Sequence, residues 1–186
     1  MFDEDIKIAS PEVIKEFSAK RKAKPASVPE EYDRESSKGN TVKARELGSA
    51  LAEDVLSNLN TFAMEDEDES NDEMAVHRGV LMIFAATVAL ENKISSSVVA
   101  QAAKNEFNSK LEQKAPELFK AVADTGAFSF YYRAYRRGTE VDRRIGQTFA
   151  MLCSHDGDPI FHELGEAIYC WFSSVCDKKV KSAGLE

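Results

Sequence analysis

Between Val80 and Leu90 the chain runs eleven residues with Thr87 as the one polar side chain. In a helix, such a run is apolar on every face, and a helix apolar on every face has to be surrounded by others. Eleven helical residues reach only about half of a bilayer's hydrocarbon core. The run is therefore read as part of a central helix, Met74 to Glu91, inside a bundle. The rest of the chain suits that reading. No segment alternates apolar and polar residues between turn signals as a strand would, and no fixed-period repeat is visible.

Several further helices follow from period and capping. Thr41 can cap a helix carrying Val42, Leu47, Leu51, Val55, Leu56 and Leu59. Ser95, Ser96 or Ser97 caps one with Val98, Ala102, Phe107 and Leu111. Pro116 opens another, with Leu118, Phe119 and Val122 inside, stopped by Asp124-Thr125-Gly126. A short helix ends at Gly138. Thr139 caps the next, with Val141, Ile145, Phe149 and Leu152. After the turn at His155–Asp158, Pro159 opens a last helix. Its Ile160, Leu164, Ile168, Trp171 and Val175 form the most regular amphipathic stripe in the chain. The expectation is an all-α fold, a single-domain bundle of roughly seven helices over 41–186.

Ahead of it stands a short N-terminal arm, 1–21. There Ser10-Pro11-Glu12 starts a helix with Val13, Ile14 and Phe17 on one face. Residues 22–40 contain Pro25, Pro29 and Gly39 among many charges without a period, and read as a flexible linker.

Compartment follows from charge and cysteine. The start, Met1-Phe2-Asp3-Glu4-Asp5, is acidic where a secretory signal would be basic and then apolar. Cys153, Cys170 and Cys176 are odd in number and suit reduced thiols. A cytoplasmic protein with no membrane partner is expected. Its 24 basic and 32 acidic residues give a net charge of −8. That balance makes general nucleic-acid binding an unfavoured reading, because phosphates repel an acidic chain at long range.

Against that background, residues 131–144 stand out. They place Tyr131, Tyr132, Arg133, Tyr135, Arg136, Arg137, Arg143 and Arg144 within 14 residues. Arginine forks hold carboxylates and phosphates, and tyrosines give flat contact area. If the connection at Gly138 is tight, Arg136–Arg137 and Arg143–Arg144 could converge on one anion. An acidic protein partner or a phosphorylated ligand is the leading expectation, and RNA binding through the same residues is the alternative. The plainer option is that these arginines pair with the chain's own acids, such as the seven in 65–73.

Other chemistries fit less well. In the acidic run, Asp66, Asp68, Ser70 and Asp72 alternate as in a calcium loop. Asn71 replaces the required glycine, however, and His77 the required glutamate. Cys153, His155, Asp158 and His162 lack the paired short spacings of a zinc site. There is no phosphate loop, dinucleotide fingerprint, nucleophile elbow or zinc-protease motif. No cofactor or metal is expected, and catalysis is not the leading expectation. A helical enzyme with its site near His155, His162, Glu163 and Glu166 remains an alternative. Gln101, Lys104, Asn105 and Asn108 could read bases if the chain up to Glu91 and the helix after Ile94 formed a helix-turn-helix. The turn has no glycine, and its first helix is too apolar to lie near DNA.

Overall fold

The computed structural model describes residues 27–61, 69–124 and 126–186. The expected arm helix lies outside these described residues, as do Asp66 and Asp68 of the candidate calcium frame, while Ser70 to His77 of that frame are helical rather than a chelating loop. Among them there are eight helices and no strand: α1 (Val28–Ser37), α2 (Asn40–Thr61), α3 (Glu69–Lys93), α4 (Ser97–Lys114), α5 (Pro116–Asp124), α6 (Ala127–Tyr135), α7 (Val141–Leu152) and α8 (Pro159–Ala183). The fold is all-α.

The helix of Val80–Leu90 is the centre of it. α3 touches every other helix except α1. Val80 to Ala86 and Val88 to Leu90 are buried, while Thr87 is half-buried and donates its hydroxyl to the Ile83 carbonyl at 2.8 Å. Over Met74–Lys93 the helix is long and apolar enough to cross a membrane by length and composition. In this structure 72% of its apolar window is covered by the bundle.

Two helix pairs close around α3. α2 lies along α4, and Gly48 makes that approach possible, because a Cβ there would collide with the Ala103 carbonyl oxygen. α7 lies along α8, where Gly146 faces the His162 carbonyl in the same way. Leu51, Val55, Phe107 and Leu111 fill one seam, and Ile145, Phe149, Phe172 and Cys176 the other. Val42, expected in the α2 stripe, is exposed instead, because Thr41 and Ala44 take the inward positions of that first turn.

Part of the expected linker is helix. The Ser27 N–H donates to Glu30 at 3.0 Å, and α1 then runs to Ser37 and packs on α2 and α4. Its anchor is a carboxylate. Glu35 is buried and accepts from Asn40 at 2.6 Å, Lys38 at 3.2 Å and Arg34 at 3.2 Å. The Asn40 and Lys38 bonds hold its carboxyl below the usual range. Glu31 adds a second tie, accepting from the Ser96 hydroxyl at 2.7 Å. A helix held by polar contacts carries no apolar period for the sequence to display.

The regular stripe of α8 is not the buried one. An amphipathic stripe ordinarily faces the core. Here Gly165, Tyr169, Phe172, Cys176 and Val180 are inside, while Ile160, Leu164 and Trp171 are exposed.

Candidate functional site: an arginine cleft between α6 and α7

The tyrosine–arginine segment folds as α6, a turn at Arg136–Arg137, and Gly138 at φ +75° before α7. A helix places successive side chains about 100° apart, so the segment cannot present one face. Tyr131 goes into the core. It is fully buried against Phe84, ring centroids 5.3 Å apart, and its hydroxyl has no hydrogen-bond partner among the described residues. Burial pushes its hydroxyl far above the usual tyrosine range. Tyr131 therefore offers no contact area to a partner, contrary to the expectation.

Tyr132 and Tyr135 are half-buried. Tyr132 packs edge-on to Phe84 at 5.1 Å and donates to Glu91 at 3.0 Å. Glu91 also pairs with Lys104. Burial first, and the Glu91 bond second, push the Tyr132 hydroxyl up to about 12. Arg136 lies over the Tyr132 ring, 5.8 Å from its centroid. Tyr135 accepts from the Asn92 amide at 3.4 Å. This side of α6 is internally satisfied.

The opposite side is different. Phe130, Arg133, Ala134 and Arg137 follow one another at i, i+3, i+4 and i+7. Arg144, Gln147, Thr148 and Met151 do the same on α7. These two stripes face each other across a cleft of about 220 Å³, with Asp156 at its rim. Three of the five arginines are thus brought together: Arg133, Arg137 and Arg144. Arg144 also donates to the Thr139 carbonyl, and to its hydroxyl at 3.1 Å, which ties down the connection. Among the described residues, neither the Arg133 nor the Arg137 side chain makes a hydrogen bond or ion pair. Arg143 does not line the cleft and pairs with Glu140 at 3.6 Å.

The apolar floor was not anticipated as part of the site. Phe130 is 46% exposed and Met151 40%, one on each wall. The i, i+3, i+4, i+7 spacing that joins them to the arginines was the available signal. Chemically, the cleft offers guanidinium donors beside apolar area and no nucleophile or histidine. That is equipment for holding an acidic group next to an apolar one.

The other candidates are not assembled. His155 stacks on Phe161 at 3.7 Å, and no side-chain hydrogen bond or ion pair links it to His162, Glu163 or Glu166 among the described residues. A groove of about 410 Å³ beside α3 and α8 includes Lys93, Tyr135, Asp142, Cys170 and Asp177. Lys93 pairs with Asp177 at 3.1 Å, and burial followed by Asp142 pushes the Cys170 thiol up, away from the thiolate a nucleophile needs. Among the described residues, no three His, Cys, Asp or Glu side chains are placed to hold a metal ion. Of the candidate base readers, Lys104 is paired with Glu91, and Gln101 bonds Asn105 at 2.7 Å.

No protein-family model matches this chain, and neither a curated protein nor a solved structure matches it.

Proposed function

We propose that this protein is an interaction module whose α6–α7 cleft holds an acidic segment of a partner protein. Arg133 and Arg137 grip its carboxylates or phosphates, Arg144 supports them from the facing helix, and Phe130 and Met151 receive an apolar side chain beside the acid. One observation carries this reading: in a chain of net charge −8, two exposed arginines of the cleft have no acidic partner among the described residues. Cys153, Cys170 and Cys176, none of them in a disulfide among the described residues, fit a reducing compartment, and the cytosol is the proposed place of action.

RNA stacking is the weaker reading of the same segment, because Tyr131 is in the core and Tyr132 is engaged with Glu91 and Arg136.

The test is fluorescence anisotropy with three labelled probes: an acidic peptide containing one aromatic residue, its phosphorylated form, and single-stranded RNA. Arg133→Glu/Arg137→Glu is expected to weaken peptide binding at least about tenfold. Arg136→Glu/Arg143→Glu, which changes charge equally but outside the cleft, is the control and should retain most of the affinity. Equal loss in both variants, or no binding by the native protein, rejects the cleft. A preference for RNA with a steep salt dependence replaces this reading with the other.

A further inference from the structure

Protein interiors leave few voids larger than a water molecule. One of about 180 Å³ remains where α2, α3, α7 and α8 meet. Met82 and Phe149, both fully buried, lie at its inner end. Leu164, 37% exposed, and Trp171, 46% exposed, stand at its mouth. Part of the outward stripe of α8 therefore borders this pocket, with Leu164, Ile168 and Trp171 at i, i+4 and i+7. Ligand pockets of helical bundles are built in this way, apolar and between helices.

Two polar side chains also line it, Arg78 and Asn58. Arg78 is buried and donates to the Leu59 carbonyl at 3.4 Å. The Asn58 amide nitrogen donates to the Asp54 carbonyl at 2.7 Å, one turn back on α2. That bond fixes which way the amide points. Its oxygen is left as an acceptor, with no hydrogen bond among the described residues. The lining contains no carboxylate to hold a cation, and its guanidinium already serves a backbone carbonyl. What it offers a guest is apolar contact and one acceptor.

We propose that this pocket binds a small uncharged aromatic molecule carrying one O–H or N–H donor, of the phenol or indole kind, with the donor on the Asn58 oxygen. Size selects the ring. An apolar cavity of about 150 Å³ holds benzene, so this pocket takes one ring with a small substituent. A partner's helix, about 10 Å across, is too wide to enter. The walls suit a ring as well. Met74 and Met82 bring two thioethers, whose sulfur makes favourable contacts with aromatic groups. The site does not depend on what the α6–α7 cleft binds.

The experiment is titration of the full chain with p-cresol, read by calorimetry and by the indole N–H signal of Trp171 in a proton–nitrogen correlation spectrum. Trp171 is the chain's single tryptophan, so the signal is unambiguous. Saturable binding is expected, with that signal displaced by the ring current of the ligand. Toluene keeps the ring and lacks the donor, and should bind about 3- to 10-fold more weakly. Asn58→Leu should reverse this order, because the hydroxyl would then be buried without a partner. Continued binding of toluene shows that the variant is folded. Ile168→Phe should fill the pocket and weaken both ligands at least about tenfold, with the melting temperature unchanged or raised. A native chain that binds neither, as it would if residues 62–68 filled the pocket, overturns the proposal. Binding that leaves the Trp171 signal unmoved places the ligand elsewhere and overturns it too. So does a native preference for toluene, or an equal loss of both ligands in Asn58→Leu. Benzoate bound more tightly than p-cresol would make Arg78 the recognising group and overturn the uncharged ligand.

Discussion

The α1–α2–α4 side of the molecule and the α6–α7–α8 side differ in how far their charges are tied within the fold. On the first, Glu35 is bound by Asn40, Lys38 and Arg34, Lys110 bonds Ser49 and Glu53, and Glu31 meets Ser96. Gly48 brings the backbones of α2 and α4 into contact. On the second, Arg133, Arg137, Asp156 and Lys178 have no ion-pair partner among the described residues. Phe130, Met151, Ile160, Leu164 and Trp171 are exposed there. Interactions completed within the fold stabilise it, and groups left incomplete are available to something else. Asp156 is the acid at the rim of the cleft.

The contrast is broken most forcefully at Gly48. Gly48→Val puts a side chain where the Ala103 carbonyl oxygen stands, so backbone must move. A loss of about 3 kcal/mol or more is expected in urea unfolding. A loss under about 1 kcal/mol would mean that the α2–α4 side is no tighter than the other. The matching change on the open side runs in the reverse direction. Tyr131 keeps a buried hydroxyl without a described partner, so Tyr131→Phe removes a desolvated polar group without leaving a cavity. A gain of about 1 kcal/mol is expected. A loss instead would show that the hydroxyl is satisfied.

How much of this the sequence displayed depended on whether a residue's role follows from its neighbours in the chain. The central helix was legible because a run apolar on every face has one structural use. The start of α8 was legible too: Asp158 precedes Pro159, and its carboxylate accepts from the Ile160 N–H at 2.8 Å. The start of α7 was not. Thr139 was the expected cap, but Glu140 occupies that position at φ +49°, and Thr139 is turned to Arg144 instead. The arginine cluster was visible, but its direction was not. Which of Arg133, Arg136 and Arg137 faces outward depends on where Phe84 draws Tyr131 and Tyr132, and Phe84 is on another helix. In α8 the sequence offered two interleaved apolar stripes. The less regular one is inside, because Gly165 allows the close approach to Phe149 that a larger residue would prevent.

Acid tests how α1 is fastened. Glu35 has a carboxyl held below its ordinary value, chiefly by Asn40 and Lys38. Its contribution is therefore complete above the ordinary carboxylate range and is lost as pH falls through the lowered value. Hydrogen exchange should show residues 28–37 losing protection on acidification before α2 and α4 do. Simultaneous loss across all three helices would mean that something other than Glu35 fastens α1.

The smallest expected effect sharpens the comparison furthest. Arg133→Ala/Arg137→Ala removes two charges that have no partner within the described fold, so urea unfolding should change by no more than about 0.5 kcal/mol. If anything the change should favour the folded state, since Arg133 and Arg137 share a cleft with Arg144 and repel it. The same pair of substitutions should weaken binding of the acidic peptide about tenfold. A stability loss of about 2 kcal/mol would instead show that the two arginines hold the fold together. The open side would then be open in appearance only, its charges completed by acids outside the described residues. Unchanged stability together with weakened binding separates recognition from folding at the level of two side chains.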